Sequence, residues 1–238
     1  TIDSISISPG DLTGTSEFTL TDDSVYEGNE TIILTVNTAS SVGSFTISNT
    51  PTIRIIENES APTVTLATSA TSIAEDAGSS LTLTATSSIV ADEDITVSIA
   101  TSGTGTEGTD YNTISDITIS AGATTGTASF TPINDTVFEA NETAIVSISS
   151  VSGADATESG VQSETITIVK DSDAAPTVTL ATSATSIAEN AGSSLTLTAT
   201  LSNATNEDVT VGISTSGTGT EGTDYSTISD ITISAGST

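Results

Sequence analysis

The sequence predicts an all-β protein made of tandem seven-stranded, immunoglobulin-like sandwiches, and three observations support this fold class. Apolar residues alternate with Ser or Thr along short runs, which is the pattern of strands with one buried face. Thr, Val and Ile, which favour strands, are abundant, and helix signals are essentially missing. A long internal repeat indicates that the same domain recurs along the chain.

The internal repeat defines three units. Residues 61–124 and 175–238, at an offset of 114, differ at only 11 of 64 aligned positions. Residues 1–31 match 113–143 more loosely, at an offset of 112. A period of this size is typical of a single domain. We therefore expect a first unit at 1–60 (the C-terminal half of a repeat), a complete repeat at 61–173, and a last unit at 174–238 (the N-terminal half of the next repeat).

Alternation places seven strands in the complete repeat. The inward-facing residues are expected to be, in chain order, Val64 and Leu66; Leu81, Leu83 and Ala85; Ile95, Val97 and Ile99; Ile117 and Ile119; Ala128 and Phe130; Val146 and Ile148; Ile166 and Ile168. Gly, Asn and Asp turns separate these strands, as in an immunoglobulin-like sandwich. The junctions between repeats are only a few residues long, so neighbouring domains are expected to sit end to end.

Charge and composition argue against several classes of function. Among 238 residues there are 31 acids and two bases, which gives a net charge of −29. Such a chain has almost nothing with which to neutralise phosphate, so we expect no nucleic-acid partner and no binding to anionic membranes. No apolar stretch approaches the roughly 18 residues of a membrane span, so we expect no membrane insertion.

Missing residue types argue against catalysis. Cys, His, Met and Trp are all absent, which removes thiolate and imidazole nucleophiles, the Ser-His-Asp triad and the usual zinc sites. A glycosidase with paired carboxylates would need an aromatic platform for its sugar, which the sequence lacks. We therefore expect that the protein is not an enzyme. The lack of Cys leaves the redox compartment open.

One acidic stretch occurs twice, at residues 134–143 and 22–31. In each copy a carboxylate is followed at +4 and +7 by two more, with an aromatic directly before the middle acid. The acids are Asp135, Glu139 and Glu142 in one copy and Asp23, Glu27 and Glu30 in the other. Acids held close together repel one another unless they spread into water or share a cation. Calcium, which takes roughly six to eight oxygens from flexible loops, suits such a cluster, and a solvated acidic loop is the alternative.

Several motifs together resemble the Calx-beta repeats. They are Ile73-Ala74-Glu75, Gly108-Thr109-Asp110-Tyr111, the acidic stretch at 134–143, and the closing strand with its acidic exit at 165–171. The resemblance implies a seven-stranded sandwich that, in calcium-binding members, holds several ions at the end where the chain exits. Carried over by motif, it implies metal ligands at Glu75, Asp135, Glu139, Glu142 and Asp171 in the complete repeat, at Asp23, Glu27, Glu30, Glu57 and also Glu59 in the first unit, and at Glu189 in the last.

The sequence departs from the family pattern in three places. The run 101–106 lacks an acid that the family often has there, and neither Glu107 nor Asp110 is an obvious replacement. The acidic triplets are thinned at 134–136 and at Lys170-Asp171-Ser172, where the Lys could displace an ion. We therefore expect at most one or two calcium ions per repeat. The Tyr that follows Asp110 is expected to cap the core with its ring.

Near-identical acidic repeats of this composition are similar to the stalks of giant bacterial surface adhesins, in particular gliding and adhesion proteins of Bacteroidota-type bacteria. The resemblance implies an extracellular spacer on the bacterial cell surface. Its partners would be neighbouring repeats of the same chain and the secretion and surface-anchoring machinery. A regulatory calcium sensor is the alternative, but sensors usually diverge between adjacent domains. Asp-Ser/Thr-aliphatic triplets also resemble an O-glycosylation signal of such secreted proteins, which implies candidate sites at Ser4, Ser24 and Thr136.

Overall fold

A computed structural model describes residues 4–37, 46–47, 49–170 and 173–238. Within these ranges the regular structure is entirely β, and no helix capable of spanning a membrane is found. The first unit contains β1 (Val25–Tyr26), β2 (Glu30–Ile33) and β3 (Thr52–Ile55). The complete repeat contains β4 (Thr63–Thr68), β5 (Ser72–Ala74), β6 (Leu81–Ser87), β7 (Val90–Ala91), β8 (Ile95–Gly103), β9 (Ile117–Ile119), β10 (Thr125–Phe130), β11 (Glu142–Ser152), β12 (Thr157–Glu158) and β13 (Ser163–Val169). The last unit contains β14 (Val178–Thr182), β15 (Leu197–Leu201), β16 (Val209–Val211) and β17 (Ile231–Ile233).

The complete repeat is a sandwich of two sheets, with strand orders β10-β6-β4-β12 and β5-β13-β11-β8-β9. Most neighbours are antiparallel, whereas β12 pairs with β4 and β5 pairs with β13 in parallel. The predicted all-β class and tandem sandwich architecture are confirmed. The seven predicted strands correspond to β4, β6, β8, β9, β10, β11 and β13, while β5, β7 and β12 are additional strands of two or three residues.

The core lies between the two sheets and is formed by the predicted inward-facing residues. Leu83 and Val146 are fully buried, one from each sheet, whereas the polar residues between core positions are mostly more accessible. Tyr111 is also buried and stacks on Phe130, with ring centroids 4.9 Å apart and 24° between the planes. The predicted capping role of this Tyr is therefore confirmed. Each such apolar side chain contributes roughly 1.5–3 kcal/mol on burial, so the complete repeat has a substantial core.

The last unit repeats the strand pattern of the complete repeat, but its apolar side chains are more exposed to solvent. Val64 and Leu66 of β4 are 0% and 5% exposed, whereas the equivalent Val178 and Leu180 of β14 are 45% and 52% exposed. In the complete repeat, β11 and β13 pack against β4. The last unit keeps the pairings of β14 with β15 and of β16 with β17, around a small cluster of buried residues.

Neighbouring units touch through the acidic stretches. The strand β1, which lies within the first acidic stretch, pairs in parallel with β7 of the complete repeat. Phe138, which lies within the second acidic stretch, forms a parallel bridge with Thr205 of the last unit. The fold therefore places both acidic stretches at junctions between units.

Candidate cation site at the repeat junction

A glycine-containing loop brings the end of β8 against the start of β11. Gly103 has a φ of 123°, and a Cβ at this position would collide with the carbonyl oxygen of Thr143. The backbone amide of Gly105 donates a hydrogen bond to the same carbonyl oxygen at 3.0 Å. Only glycine combines this backbone conformation with such a close approach. The turn that follows carries Asp110, whose Oδ2 accepts a hydrogen bond from the amide of Thr106 at 2.6 Å.

Three carboxylates converge beside this loop. One oxygen from each of Asp110, Glu139 and Glu142 lies within 4.8 Å of the other two. Asp110 is 8% exposed. The Oε2 atom of Glu142 is buried and accepts no hydrogen bond from any described residue. A buried, ionised carboxylate oxygen without a donor is costly, so this cluster is stabilised by either protons or a cation.

Burial and repulsion raise the pKa values of both glutamates. Burial raises the pKa of Glu139 from 4.5 to about 7, and the charge of Glu142 adds to the effect. The pKa of Glu142 also rises to about 7, first through burial and then through the charge of Asp110. Near neutral pH, the two glutamates are therefore partly protonated when no cation is bound.

The donor set fits a calcium ion. Calcium binds carboxylate oxygens at roughly 2.3–2.6 Å, so two ligand oxygens of one ion lie at most about 5 Å apart. The separations of at most 4.8 Å between the oxygens of Asp110, Glu139 and Glu142 are within this limit. The partnerless Oε2 of Glu142 would gain a partner from such an ion. The ligands are all hard oxygens, which calcium prefers.

The other predicted ligands of the complete repeat lie at the edge of this cluster or beyond the described residues. Glu75 is buried, and its Oε1 accepts a hydrogen bond from the amide of Asp135 at 3.2 Å. The Oδ1 of Asp135 in turn accepts one from the amide of Val137 at 2.7 Å, which closes a local turn. Both carboxylates contribute to raising the pKa of Glu139. Asp171 lies outside the described residues.

This geometry bears on two sequence-based expectations. Asp110, which is not an obvious replacement for the missing family acid in the sequence, belongs to the cluster. Its signal in the sequence is the adjacent Tyr111, because a buried aromatic holds the preceding carboxylate at the end of the sandwich. Lys170, considered a competitor for the ion, places its Nζ 5.1 Å from the centroid of the Phe138 ring, which is a cation–π distance.

In the first unit, the carboxylate of Glu57 accepts hydrogen bonds from backbone amides. Its Oε2 accepts hydrogen bonds from the amides of Glu27 and Gly28 at 2.7 Å each, and its Oε1 accepts from the amides of Asn58 and Glu59 at 2.9 Å each. These hydrogen bonds, with the amide of Glu59 first, lower the pKa of Glu57 from 4.5 to about 2. A carboxylate has about four acceptor positions, so Glu57 already has its full complement of donors.

Of the remaining predicted ligands in the first unit, Asp23, Glu27 and Glu30 are exposed and Glu59 is half-buried. The Oδ1 of Asp23 accepts a hydrogen bond from the amide of Val25 at 2.8 Å, the same turn that Asp135 makes. Asp23, Glu27, Glu30 and Glu59 line a shallow cleft with Glu57, and the charge of Asp23 is the main cause of a raised pKa at Glu27. Glu189, the equivalent of Glu75, is exposed in the last unit. Among the described residues, three carboxylates close enough to share an ion occur only in the complete repeat.

The three candidate glycosylation residues, Ser4, Ser24 and Thr136, are all exposed. Ser24 and Thr136 occupy equivalent positions beside the two junctions, each directly after an Asp whose carboxylate closes a turn.

The comparison with family models agrees with the repeat structure. A family model described as the Calx-beta domain matches residues 5–59, 57–173 and 171–233. Among solved structures, the apo form of the Calx CBD1 domain is 17% identical with a TM-score of 0.39, over 46% of this chain and 98% of that one. CBD12 from CALX1.2 is 18% identical with a TM-score of 0.37, over 42% of this chain and 41% of that one. No curated protein matches. Because the family model matches three successive segments that span most of its length, the chain belongs to the Calx-beta domain family.

Proposed function

We propose that this chain is a structural spacer of a long extracellular rod on a bacterial cell surface, stiffened by calcium at the junctions between its repeats. The observation that carries the proposal is the position of the cluster formed by Asp110, Glu139 and Glu142. The Oε1 of Glu142 accepts a hydrogen bond from the Nδ2 of Asn206, which belongs to the next repeat, at 3.3 Å. A cation held by this cluster therefore acts where two domains meet.

The likeness between repeats supports a spacer more than a regulatory calcium sensor. Residues 61–124 and 175–238 differ at only 11 of 64 positions, so successive repeats present nearly the same geometry. A rod needs such repetition, whereas a sensor needs domains that respond differently. The net charge of −29 also disfavours side-by-side association of rods at low salt. The partners of the spacer are its own neighbouring repeats and the machinery that exports and anchors it.

Thermal unfolding of the full chain with and without calcium tests the cation. Calcium bound only by the folded state stabilises it by about 2.7 kcal/mol at a hundred times its Kd, so a chelator should lower the melting temperature. Glu139→Gln should abolish the calcium response. Glu17→Gln, which removes one charge at an exposed position of the first unit, is the matched control and should keep it. If the chelator does not change the melting temperature at low ionic strength, the proposed bound cation is excluded.

Small-angle scattering separates the spacer from the sensor. A spacer stiffened by calcium should show a longer mean length and a narrower distribution of lengths in calcium than in chelator, because loosened junctions let the rod bend. A sensor should instead change between two mean shapes. A calcium-dependent shift in mean length without any change in its spread would favour the sensor.

The spacer is also proposed to carry O-linked glycans at Ser4, Ser24 and Thr136. The support is the exposure of all three residues and the equivalent placement of Ser24 and Thr136 in successive repeats. Mass spectrometry of peptides from the native cell should find added hexose-type masses on these residues. Unmodified peptides at all three positions would remove this part of the proposal.

A further inference from the structure

The first junction is a small parallel sheet. Val25–Tyr26 pairs with Val90–Ala91, in the register Val25 to Val90 and Tyr26 to Ala91. The backbone amide of Asp92 donates a hydrogen bond to the carbonyl oxygen of Tyr26 at 3.1 Å. A segment of one repeat is thereby added to the edge of the next.

The second junction repeats this pairing at equivalent positions. Phe138 bridges Thr205 in parallel, as Tyr26 pairs with Ala91. The amide of Phe138 donates to the carbonyl oxygen of Ala204 at 2.9 Å, and the amide of Asn206 donates to the carbonyl oxygen of Phe138 at 3.4 Å. Two junctions with the same register indicate a property of the repeat and not an accident of one contact.

The aromatic ring enters the neighbouring domain. Tyr26 is 8% exposed and belongs to the buried cluster of the complete repeat, although it comes from the first unit. Its Oη donates a hydrogen bond to the Oδ2 of Asp155 at 2.8 Å. Ala154 and Asp155 have φ values of 51° and 49°, a region that non-glycine residues seldom occupy. This turn places the Asp155 carboxylate where the Tyr26 hydroxyl reaches it.

The longest run of differences between the near-identical repeats lies at this edge. Of the 11 differences between residues 61–124 and 175–238, eight fall at residues 87–100. They include four consecutive positions, 89–92, where Ile-Val-Ala-Asp is replaced by Asn-Ala-Thr-Asn at 203–206. The longest run of consecutive differences therefore lies on the edge that meets the preceding repeat.

We infer that residues 89–92, and their equivalents in each repeat, form a docking edge whose partner is the two-residue Val-aromatic segment of the preceding repeat. Backbone pairing supplies the common contact, and the side chains of the edge and the aromatic set how tightly each junction docks. The contact is made by amides, carbonyls and a ring. It therefore goes beyond the spacer role and does not depend on calcium.

Hydrogen exchange of the full chain in chelator tests the docking edge. Tyr26→Ala should speed exchange of the Asp92 amide about tenfold or more and leave the Asn206 amide unchanged, since a buried ring is lost at one junction only. Phe138→Ala should do the reverse. Replacing residues 89–92 by the sequence of 203–206 should also speed exchange at position 92, because the second junction has the longer hydrogen bond and the more exposed ring.

The amide of Val146 in β11 reports whether the sandwich remains folded and should keep its protection in every variant. If Tyr26→Ala also lowers the protection of the Val146 amide, the variant has disturbed the sandwich itself. The Phe138→Ala variant then provides the test, because the Phe138 ring lies outside the buried cluster of the complete repeat. If the Asn206 amide exchanges in Phe138→Ala at the same rate as in the unchanged protein, the inference is overturned. An effect seen in calcium but absent in chelator would also overturn it and leave the proposed calcium function intact.

Discussion

The two copies of the acidic stretch have similar sequences but relieve their crowded negative charge in different ways. In the first unit, Glu57 accepts four backbone amides, and its pKa falls to about 2. In the complete repeat, Glu139 and Glu142 lie buried beside Asp110, and the pKa values of both glutamates rise to about 7. The motif determines where carboxylates gather. Glu57 is held by backbone amides, whereas Glu139 and Glu142 share their buried cluster with Asp110.

The residue supplied by the following repeat also differs between the junctions. At the second junction the Nδ2 of Asn206 donates a hydrogen bond to Glu142 at 3.3 Å. At the first junction the equivalent residue is Asp92, which lines a cleft together with Glu27 and contributes to the raised pKa of Glu27. An ionised carboxylate cannot donate a hydrogen bond, so the first junction has one more negative charge where the second has an amide.

Opposite pH dependences are the largest effect expected from this contrast. In chelator, Glu139 and Glu142 bind protons in the folded state up to a pKa of about 7 but in the unfolded state only up to about 4.5. Their stabilisation is therefore complete below pH 4.5 and is lost as the pH rises to 7. Glu57 has the opposite sign, because its folded pKa of about 2 makes its contribution fade as the pH falls from 4.5 to 2.

Melting temperatures between pH 2 and pH 8 test this pair of trends. The decline in melting temperature above pH 4.5 should be smaller in Glu139→Gln. It should largely disappear in calcium, since a bound cation favours the ionised form of the two glutamates. Glu17→Gln controls for the general effect of lowering the net charge. Equal declines in Glu139→Gln and Glu17→Gln would assign the trend to overall charge repulsion.

The sequence predicts the large strands better than the small ones, for a physical reason. Side chains alternate across a strand, so β4 or β11 shows a period of two over many residues. The strands β5, β7 and β12 have only two or three residues, which is too few to show a period. Pairing with distant segments produces them, as β1 does for β7 across the junction.

The site was likewise predictable only in part. Glu139 lies three residues before Glu142, the first residue of β11, so their closeness follows from local sequence. Asp110 joins them because the Gly103 loop folds back onto β11, a contact that residue types alone do not encode. The hydrogen bonds that Glu57 accepts depend on the directions of backbone amides, which cannot be read from the sequence.

Exchanging the two aromatics separates the shared pairing from the hydroxyl found at one junction. Tyr26→Phe keeps the backbone pairing but removes the donor to Asp155, so exchange of the Asp92 amide should rise several-fold, less than in Tyr26→Ala. Phe138→Tyr, whose ring lies against Lys170 and not beside the Asp155 carboxylate, should leave the Asn206 amide unchanged. A gain of protection in Phe138→Tyr would show that the hydroxyl finds a different partner.

Converting the second junction into the first should have a smaller effect. Asn206→Asp places a negative charge beside Glu142 and should cost about 0.5–1 kcal/mol of stability in chelator at low salt. High salt should reduce the loss, because the position is exposed and the interaction is screened. In calcium the loss should also shrink, since the new carboxylate offers the ion another oxygen. A loss that is independent of both salt and calcium would mean that the amide acts through shape alone.

The converse change, Asp92→Asn, should give the smallest effect and the opposite sign. It removes a carboxylate from the cleft that contains Glu27, and the relief of repulsion between two exposed charges is small. The gain in stability of the first junction should be measurable as slower exchange of the Tyr26 amide at low salt. It should vanish at high salt because exposed charges are screened. Asp94→Asn is unsuitable as a control, since its Oδ1 accepts a hydrogen bond from Ala121, whereas Glu17→Gln changes the charge alone. If Asp92→Asn and Glu17→Gln slow exchange equally, the two junctions differ in their aromatic contacts and not in their electrostatics.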